Sequence, residues 1–326
     1  MLNQKIRVGV LRGGVGLKYD MSLQTGEVVL STLSTDKYKT FDVLITKNRQ
    51  WYFDGFPTTP AQIIDNIDVV FNALHGEYGE DGKVQQIFEM FKIPYTGSTI
   101  VPSAISLDKG LAKYFFNFHN IKTPKSKIIK RTSNISTEIY ILLDTLQSPY
   151  VVKPLYGGGG SSVGVVVARN FYELLHAVKN ITQTNQDVLI EEYIQGRKIT
   201  CAIVDSLEKP KSFLLPLLEV TTPDNDKIFN YGVKHEGRTT HTSPANIEKN
   251  IAEEIRQIAI DTYKIIGLRH YSTANFIVYP LGIYLLEFKS LPGFSKFSAM
   301  SKILQASNLE LGEFFDHIIT CAMDKQ

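Results

Sequence analysis

Val151 to Gly164 reads VVKPLYGGGGSSVG, and this stretch narrows the possible folds more than any other. The β-branched pair Val151 and Val152 ends a strand, Lys153 stands at its tip and Pro154 stops it. Gly157 to Gly160 then form a loop that carries two hydroxyls, Ser161 and Ser162. Glycines have no Cβ, so backbone N–H groups can turn inward and an anion can approach closely, while the lysine upstream adds a point charge. That is a phosphate-binding arrangement, and it reads most simply as a nucleoside triphosphate site. It is not a P-loop, because no Gly-Lys-Ser/Thr closes it, and it lacks the G-x-G-x-x-G spacing that opens a dinucleotide-binding helix. For the stretch taken alone, a plain flexible hairpin is the alternative.

Composition then excludes several partners. The 326 residues allow two or three domains, and 43% hydrophobic with 21% charged residues is the balance of an ordinary globular protein. A net charge of +2 gives no support to a nucleic-acid or membrane partner. Cys201 and Cys321 lie far apart without metal-ligand spacing, which argues against a disulfide framework or a zinc site. The apolar stretch before Gly13 is too short for a secretory signal, and no run approaches the roughly eighteen residues of a membrane span. A cytoplasmic, soluble protein is expected.

Taken in order, Ile6 to Leu11 predicts a first strand, followed by a turn at Gly13-Gly14 and a helix from near Ser22, the opening of an α/β unit. Phe41–Thr46, Val69–Leu74 and Ile93–Thr96 predict further strands, and the aromatic, turn-rich Asn48–Pro60 a surface excursion. His75-Gly76-Glu77-Tyr78-Gly79-Glu80-Asp81-Gly82 follows a buried strand and precedes a helix. Asp81 there could serve only as a cap. A histidine with two acids on such a loop is nevertheless more polar chemistry than capping requires. Asp108, Lys109 and Lys113 fall on a helix, and the basic run from Lys122 to Arg131, without interleaved aromatics, reads as a solvated face rather than a nucleic-acid surface. A helix over 171–179 leads to Val188–Ile194, VLIEEYI, whose end can offer an edge for adenine and acceptors for ribose, or be merely an interdomain strand with exposed acids. Strands are predicted at Ile199–Val204, Phe213–Val220, Thr273–Val278 and Ile283–Phe288. A lid-like polar loop spans Asp224–Asn246, and helices run over Ile247–Ile266 and to Met323. Glu287 and Lys289, two apart on a strand, are expected on one face.

In this order the pieces resemble the D-alanine:D-alanine ligases of the ATP-grasp superfamily. The resemblance rests on LHGEYGEDGKVQ at Leu74–Gln85, IPYTGS at Ile93–Ser98 and SAISLDKGLAK at Ser103–Lys113. It continues through VVKP with GSSVG, VLIEEYI-QG at Val188–Gly196 and LE-x-K-x-LPG at Leu286–Gly293. It implies an α/β fold with an N-terminal Rossmann-like parallel-sheet domain (1–107), followed by two ATP-grasp subdomains (108–187 and 188–326) that clamp the nucleotide. It also implies a dipeptide-forming ligase of peptidoglycan precursor synthesis that works through an acyl phosphate, with ATP and Mg2+ as cofactors, small amino-acid substrates and a homodimer. Residue by residue, it puts Lys109 and Lys153 on the ATP phosphates, with the Ser161-Ser162 loop folded over them and Lys234 reaching the terminal phosphate. Glu191, Tyr193 and Ile194 take the adenine and ribose region. Glu287 ligates magnesium, His75 and Glu80 lie by the amino-acid site, and Gly293 and Ser298 face the second substrate. Ser161, Lys234, His75 and Glu80 are thereby the residues implied nearest the chemistry.

The departures from the family pattern cluster at that chemistry. Lys18 stands where the family places a glutamate for the first substrate's ammonium, and a like charge repels an amino group; a shifted alignment would give the role to Asp20. Lys198 replaces a ribose-binding acid. The three metal-ligand positions hold Asn275, Glu287 and Lys289, so one carboxylate remains and an ammonium is introduced, Lys289 sitting at a lost ligand position. Thr273 replaces an oxyanion-steadying arginine, His235 replaces a lid tyrosine, and the loop after Lys153 is two residues longer than usual. Two readings follow: a working ligase with altered substrate and metal use, or an impaired nucleotide-binding homologue that acts through a partner.

Overall fold

The computed structural model describes residues 4–157, 164–208, 211–221 and 240–324. The chain opens with β1 (Ile6–Gly13), α1 (Tyr19–Thr32), β2 (Tyr38–Ile45), β3 (Trp51–Phe53), β4 (Phe56–Thr58), α2 (Pro60–Ile64), β5 (Val69–Asn72) and α3 (Lys83–Met90). The strands order as β4-β3-β2-β1-β5, with β1 parallel to both β2 and β5. Val8 and Val10 on one face and Leu11 on the other are all buried, as expected for a parallel strand covered on both sides. The strand must then turn sharply. Gly13 does so at φ +92°, where a Cβ would meet the Ile45 carbonyl oxygen at 2.2 Å. Its N–H donates to Ser22 Oγ at 2.9 Å, and that hydroxyl donates to the Ala73 carbonyl at 2.8 Å, which ties the ends of β1 and β5 to α1.

Helices α4 (Ile100–Leu107) and α5 (Lys109–Phe118) lead into a second sheet. It comprises β6 (Ser126–Ile129), β7 (Tyr150–Pro154), β8 (Val166–Ala168) and β9 (Val188–Glu192) in the antiparallel order β6-β9-β7-β8. Helices α6 (Ile135–Leu143) and α7 (Phe171–Thr182) cover it, and Ile129, Leu142, Leu174, Val178 and Ile190 form a core of its own.

The third sheet contains β10 (Arg197–Asp205), β11 (Ser212–Leu214), β12 (Leu218–Thr221), β13 (Thr240–Thr242), β14 (Tyr271–Tyr279) and β15 (Gly282–Lys289). Helix α8 (Lys249–Ile266) packs on one face, and α9 (Ala299–Ala306) and α10 (Leu311–Met323) close the chain. Ile199, Cys201, Ala274, Phe276, Leu285 and Phe288 share a core with Ile255 and Ala259 of α8 and Phe116 of α5. On the other face, Val204 and Tyr271 join Val8 and Phe71 of the first sheet through Phe294, Phe314 and Phe315. Phe294 and Phe71 meet the Phe315 ring edge-on at 5.0 Å and 5.3 Å. Each such buried ring contributes about 2–3 kcal/mol. The first and third sheets are therefore held together by one continuous apolar cluster.

Strand β15 carries the irregularity that builds the site. Asn275 opposes Glu287 while its neighbour Phe276 opposes Leu285, so Leu286 is an extra residue, a β-bulge. The bulge reverses the alternation: Ile283, Leu285 and Phe288 face the α8 core, and Glu287 and Lys289 face away from it.

Several elements differ from expectation. Helix α1 starts at Tyr19 rather than near Ser22. The stretch read as a surface excursion is a hairpin that widens the first sheet. Asp54 and Gly55, at φ +46° and +86°, supply the tight turn, and Trp51 is buried. Ile93–Thr96 makes a single parallel bridge to the sheet rather than a full strand, Tyr95 opposite Val70, with the Val70 N–H donating to the Pro94 carbonyl and the Thr96 N–H to the Val70 carbonyl. Phe213–Val220 divides into β11 and β12 around Pro216, which cannot donate to a ladder. No helix among the described residues is long and apolar enough to cross a membrane.

Candidate active site

Helix α5 supplies the first cations. Asp108 caps it by accepting from the Gly110 and Leu111 N–H groups at 2.9 and 3.0 Å. The buried stripe that follows is Lys109, Ala112, Lys113 and Phe116, so helical spacing turns two lysines inward with the apolar residues. Lys113 Nζ is fully engaged, by Glu191 Oε1 at 2.7 Å, Thr123 Oγ1 at 2.9 Å and the Pro124 carbonyl at 2.8 Å. Lys153, at the end of β7, lies 2.6 Å from Glu191 Oε2. Burial works to raise the Glu191 carboxyl, but Lys153 and Lys113 outweigh it and keep the group ionised. Glu191 thus fixes Lys153 by a two-lysine clasp across β7, β9 and α5. Lys109 Nζ donates to the carbonyl of Gly157, where the glycine loop begins. Burial lowers its pKa to about 8, with Glu287 opposing that shift and Lys153 and Lys18 adding to it.

A hydrogen-bonded row crosses the third sheet beside these lysines. Thr200 Oγ1 donates to Asn275 Oδ1 at 2.9 Å, and Asn275 Nδ2 donates to Glu287 Oε1 at 2.9 Å. Lys289 Nζ lies 3.7 Å from the same oxygen. Burial would raise the Glu287 carboxyl, yet Lys289, Lys109 and Lys153 together with the Asn275 amide hold it down at about 2. Thr273 is buried directly opposite Lys289 in the β14–β15 register, so the cationic head in this corner comes from β15.

A third group sits where β5 gives way to the HGEYGEDG loop. His75 Nε2 is 2.8 Å from Thr25 Oγ1, and its Nδ1 is 3.9 Å from Glu80 Oε1. Glu80 Oε2 accepts from the Gly76 N–H at 3.0 Å and from Lys18 Nζ at 3.2 Å. Burial opposes ionisation of Glu80, but Lys18 and His75 prevail and hold it at about 2. Gly293 lies against this group, where a Cβ would stand 3.5 Å from His75 Nε2. One recess joins the two ends: Lys18, Glu80, Lys109, Glu287, Lys289 and Ser290 all line it. The Ser290 hydroxyl beside it is buried without a hydrogen-bond partner among the described residues.

The structure therefore gathers Lys109, Lys153, Glu191, Glu287, Asn275 and Lys289 into one electrostatic network. It sets Glu80 at the other end of the recess, with His75 behind it and Gly293 against His75. Tyr193 and Ile194 are half-buried just past β9, and the Tyr193 N–H is taken by the Pro149 carbonyl at 3.0 Å. Ser298 is the N-cap of α9, accepting from the Ser301 N–H at 3.2 Å. Ser161, Ser162, Lys234 and His235 lie outside the described residues. Lys113 escaped the sequence reading as a site residue. The signal was its i,i+4 spacing from Lys109 on an otherwise apolar stripe.

Comparison with known families decides the kinship. The family model described as D-ala D-ala ligase C-terminus matches residues 116–320, more than half of the chain, and the corresponding N-terminus model matches residues 55–98. The chain belongs to the D-alanine–D-alanine ligase family. A curated family member from Clostridium perfringens (strain SM101 / Type A) is 29% identical, covering 96% of this chain and 97% of its own. The Bacillus anthracis D-alanine–D-alanine ligase crystallised with ATP is 26% identical with a TM-score of 0.79, covering 98% of each chain. The Coxiella burnetii ligase, 23% identical, shares the fold at a TM-score of 0.82 over 98% of this chain and 94% of its own. The fold is the α/β ATP-grasp architecture of these ligases.

Proposed function

We infer that the chain is an ATP-dependent ligase of the D-alanine–D-alanine class. It would transfer the γ-phosphoryl group of ATP to a substrate carboxylate oxygen, releasing ADP. An amine would then attack the acyl phosphate, expelling phosphate and losing a proton as the amide forms. The carrying observation is the single recess with Lys109, Glu287 and Lys289 at one end and Glu80 with Lys18 at the other. Phosphoryl transfer asks mainly for positioning and charge neutralisation, which converging lysines supply. In this reading Lys109 and Lys153 bind phosphates, with Lys234 and the Ser161-Ser162 loop completing the cradle. Glu191 holds Lys153, Tyr193 and Ile194 border the base, and His75, Glu80, Gly293 and Ser298 serve the substrates. Magnesium, which the resemblance implies, does not fit this set: the Asn275 amide donates to Glu287, and the Lys289 ammonium faces the same carboxylate oxygen.

The division into 1–107, 108–187 and 188–326 belongs to the same proposal and is supported by the three separate sheets. The pairing of β9 with β6 and β7 favours drawing the second boundary after Glu192. Peptidoglycan precursor synthesis, a cytoplasmic location and a homodimer rest on the family alone.

A second reading is favoured by the Lys18–Glu80 pair: a ligase whose first substrate is not D-alanine. The test is ADP release from ATP with D-alanine and with a panel of other amino and hydroxy acids, the amide product being identified by mass. Turnover with any acid supports the ligase. ATP binding without ADP release from any of them would leave an impaired homologue instead.

Protonation offers an independent check. A bound phosphate restores Lys109 towards the ordinary 10.5, whereas the free protein loses this proton from about pH 8. ATP affinity is therefore expected to fall as pH rises from 8 to 10, with proton uptake on binding. Calorimetry in buffers of different ionisation heat measures that uptake.

A further inference from the structure

A divalent cation needs oxygen lone pairs converging on it, and magnesium demands them in near-octahedral order. The row Thr200–Asn275–Glu287 offers the reverse. A carboxylate flanked by lysines accepts hydrogen bonds and donates none, so the Asn275 amide must turn its NH2 towards Glu287 Oε1. Its oxygen is thereby committed to the Thr200 hydroxyl at 2.9 Å. Flipping the amide to present a lone pair would let its NH2 donate to the Thr200 hydroxyl, but it would set the amide oxygen against the Glu287 carboxylate oxygen and forfeit the bond made there. The cross-strand register fixes this row, since Thr200 opposes Asn275 and Asn275 opposes Glu287. The same carboxylate oxygen already faces the Lys289 ammonium at 3.7 Å. Among the described residues, no group of three or more His, Cys, Asp or Glu side chains is arranged to hold a metal ion.

We propose that this chain binds its nucleoside triphosphate without a divalent cation, the Lys289 ammonium beside Glu287 supplying positive charge that a metal ion would otherwise bring. The inference rests on the ATP-binding reading above and specifies its electrostatics. Lys109 and Lys289, both lining the recess, supply positive charge to the polyphosphate, with Lys153 held beside them by Glu191. Glu287 orients the Lys289 head rather than coordinating. Magnesium in solution, by complexing ATP, competes with these ammonium groups.

Calorimetric titration of the intact chain with ATP tests this, once in EDTA and once in excess Mg2+. The expected affinity in EDTA is equal to or tighter than that in Mg2+. Binding weakened by about tenfold or more in EDTA overturns the proposal. Heat in neither condition overturns the ATP reading itself, which separates the two failures. The double variant Asn275→Asp with Lys289→Asn supplies the converse arm. It should acquire metal dependence, with EDTA weakening ATP binding by about tenfold. A double variant that binds as indifferently to EDTA as the parent would overturn the role given to Lys289. Asn275 and Lys289 are part-buried on the face of the third sheet turned away from the α8 core, and a urea midpoint near that of the parent shows that the comparison is between folded proteins.

Discussion

Lys153→Ala is expected to weaken ATP binding by about two orders of magnitude, close to 3 kcal/mol. The side chain is buried at the end of β7 and held by Glu191 at 2.6 Å. Its remaining donors are the ones that charge-assisted bonds to phosphate would use. Removing it also leaves Glu191 with Lys113 as its remaining ammonium partner, so a loss of stability accompanies the loss of affinity. Lys153→Met keeps the apolar stem and removes only the charge, which isolates the phosphate contribution. Calorimetry gives the affinity and urea unfolding gives the stability. A fall in the urea midpoint with ATP affinity within about threefold of the parent would make Lys153 a structural residue only.

Lys18→Glu is expected to lower the KM for D-alanine by at least about tenfold. Lys18 occupies Glu80 Oε2 at 3.2 Å, the carboxylate nearest His75. An incoming ammonium must displace Lys18 or face it. At about 4 Å and an effective dielectric near 20, that repulsion is about 4 kcal/mol, offset in part by the Glu80 carboxylate paired with Lys18. The glutamate variant places two carboxylates together, so its gain should be largest above neutral pH, where both are ionised. Lys18→Gln, which removes the repulsion without adding an attraction, should fall between. An unchanged KM in both variants would show that D-alanine does not meet this end of the recess.

How much of this was legible in the sequence varies with the physics of each part. Parallel strands buried on both faces announce themselves as β-branched runs, so β1 and β5 were found close to their true limits. The β3–β4 hairpin was missed because its aromatic residues look like loop composition, although Asp54-Gly55 is the dipeptide that a two-residue turn requires. Lys109, Lys153 and Glu287 could be named because short motifs carry them. Their partners could not, because a clasp between α5, β7 and β9 is made by residues far apart in the chain. Glu287 and Lys289 do share a face, as strand alternation predicts. The bulge at Leu286 decides which face, and no local pattern in the sequence marks it. Lys18 was visible as a departure, but its pairing with Glu80, which turns repulsion of an ammonium into competition for a carboxylate, needed the geometry.

The central claim is that ammonium groups from three separate segments, Lys109, Lys153 and Lys289, serve one polyphosphate. A crystal structure of the chain with a non-hydrolysable ATP analogue in EDTA tests it most directly. The account predicts phosphate oxygens within about 3 Å of the Nζ atoms of Lys109 and Lys153, with Lys289 facing the terminal phosphate. An analogue bound with its phosphates away from these lysines, while Lys109 keeps its bond to the Gly157 carbonyl, would contradict it.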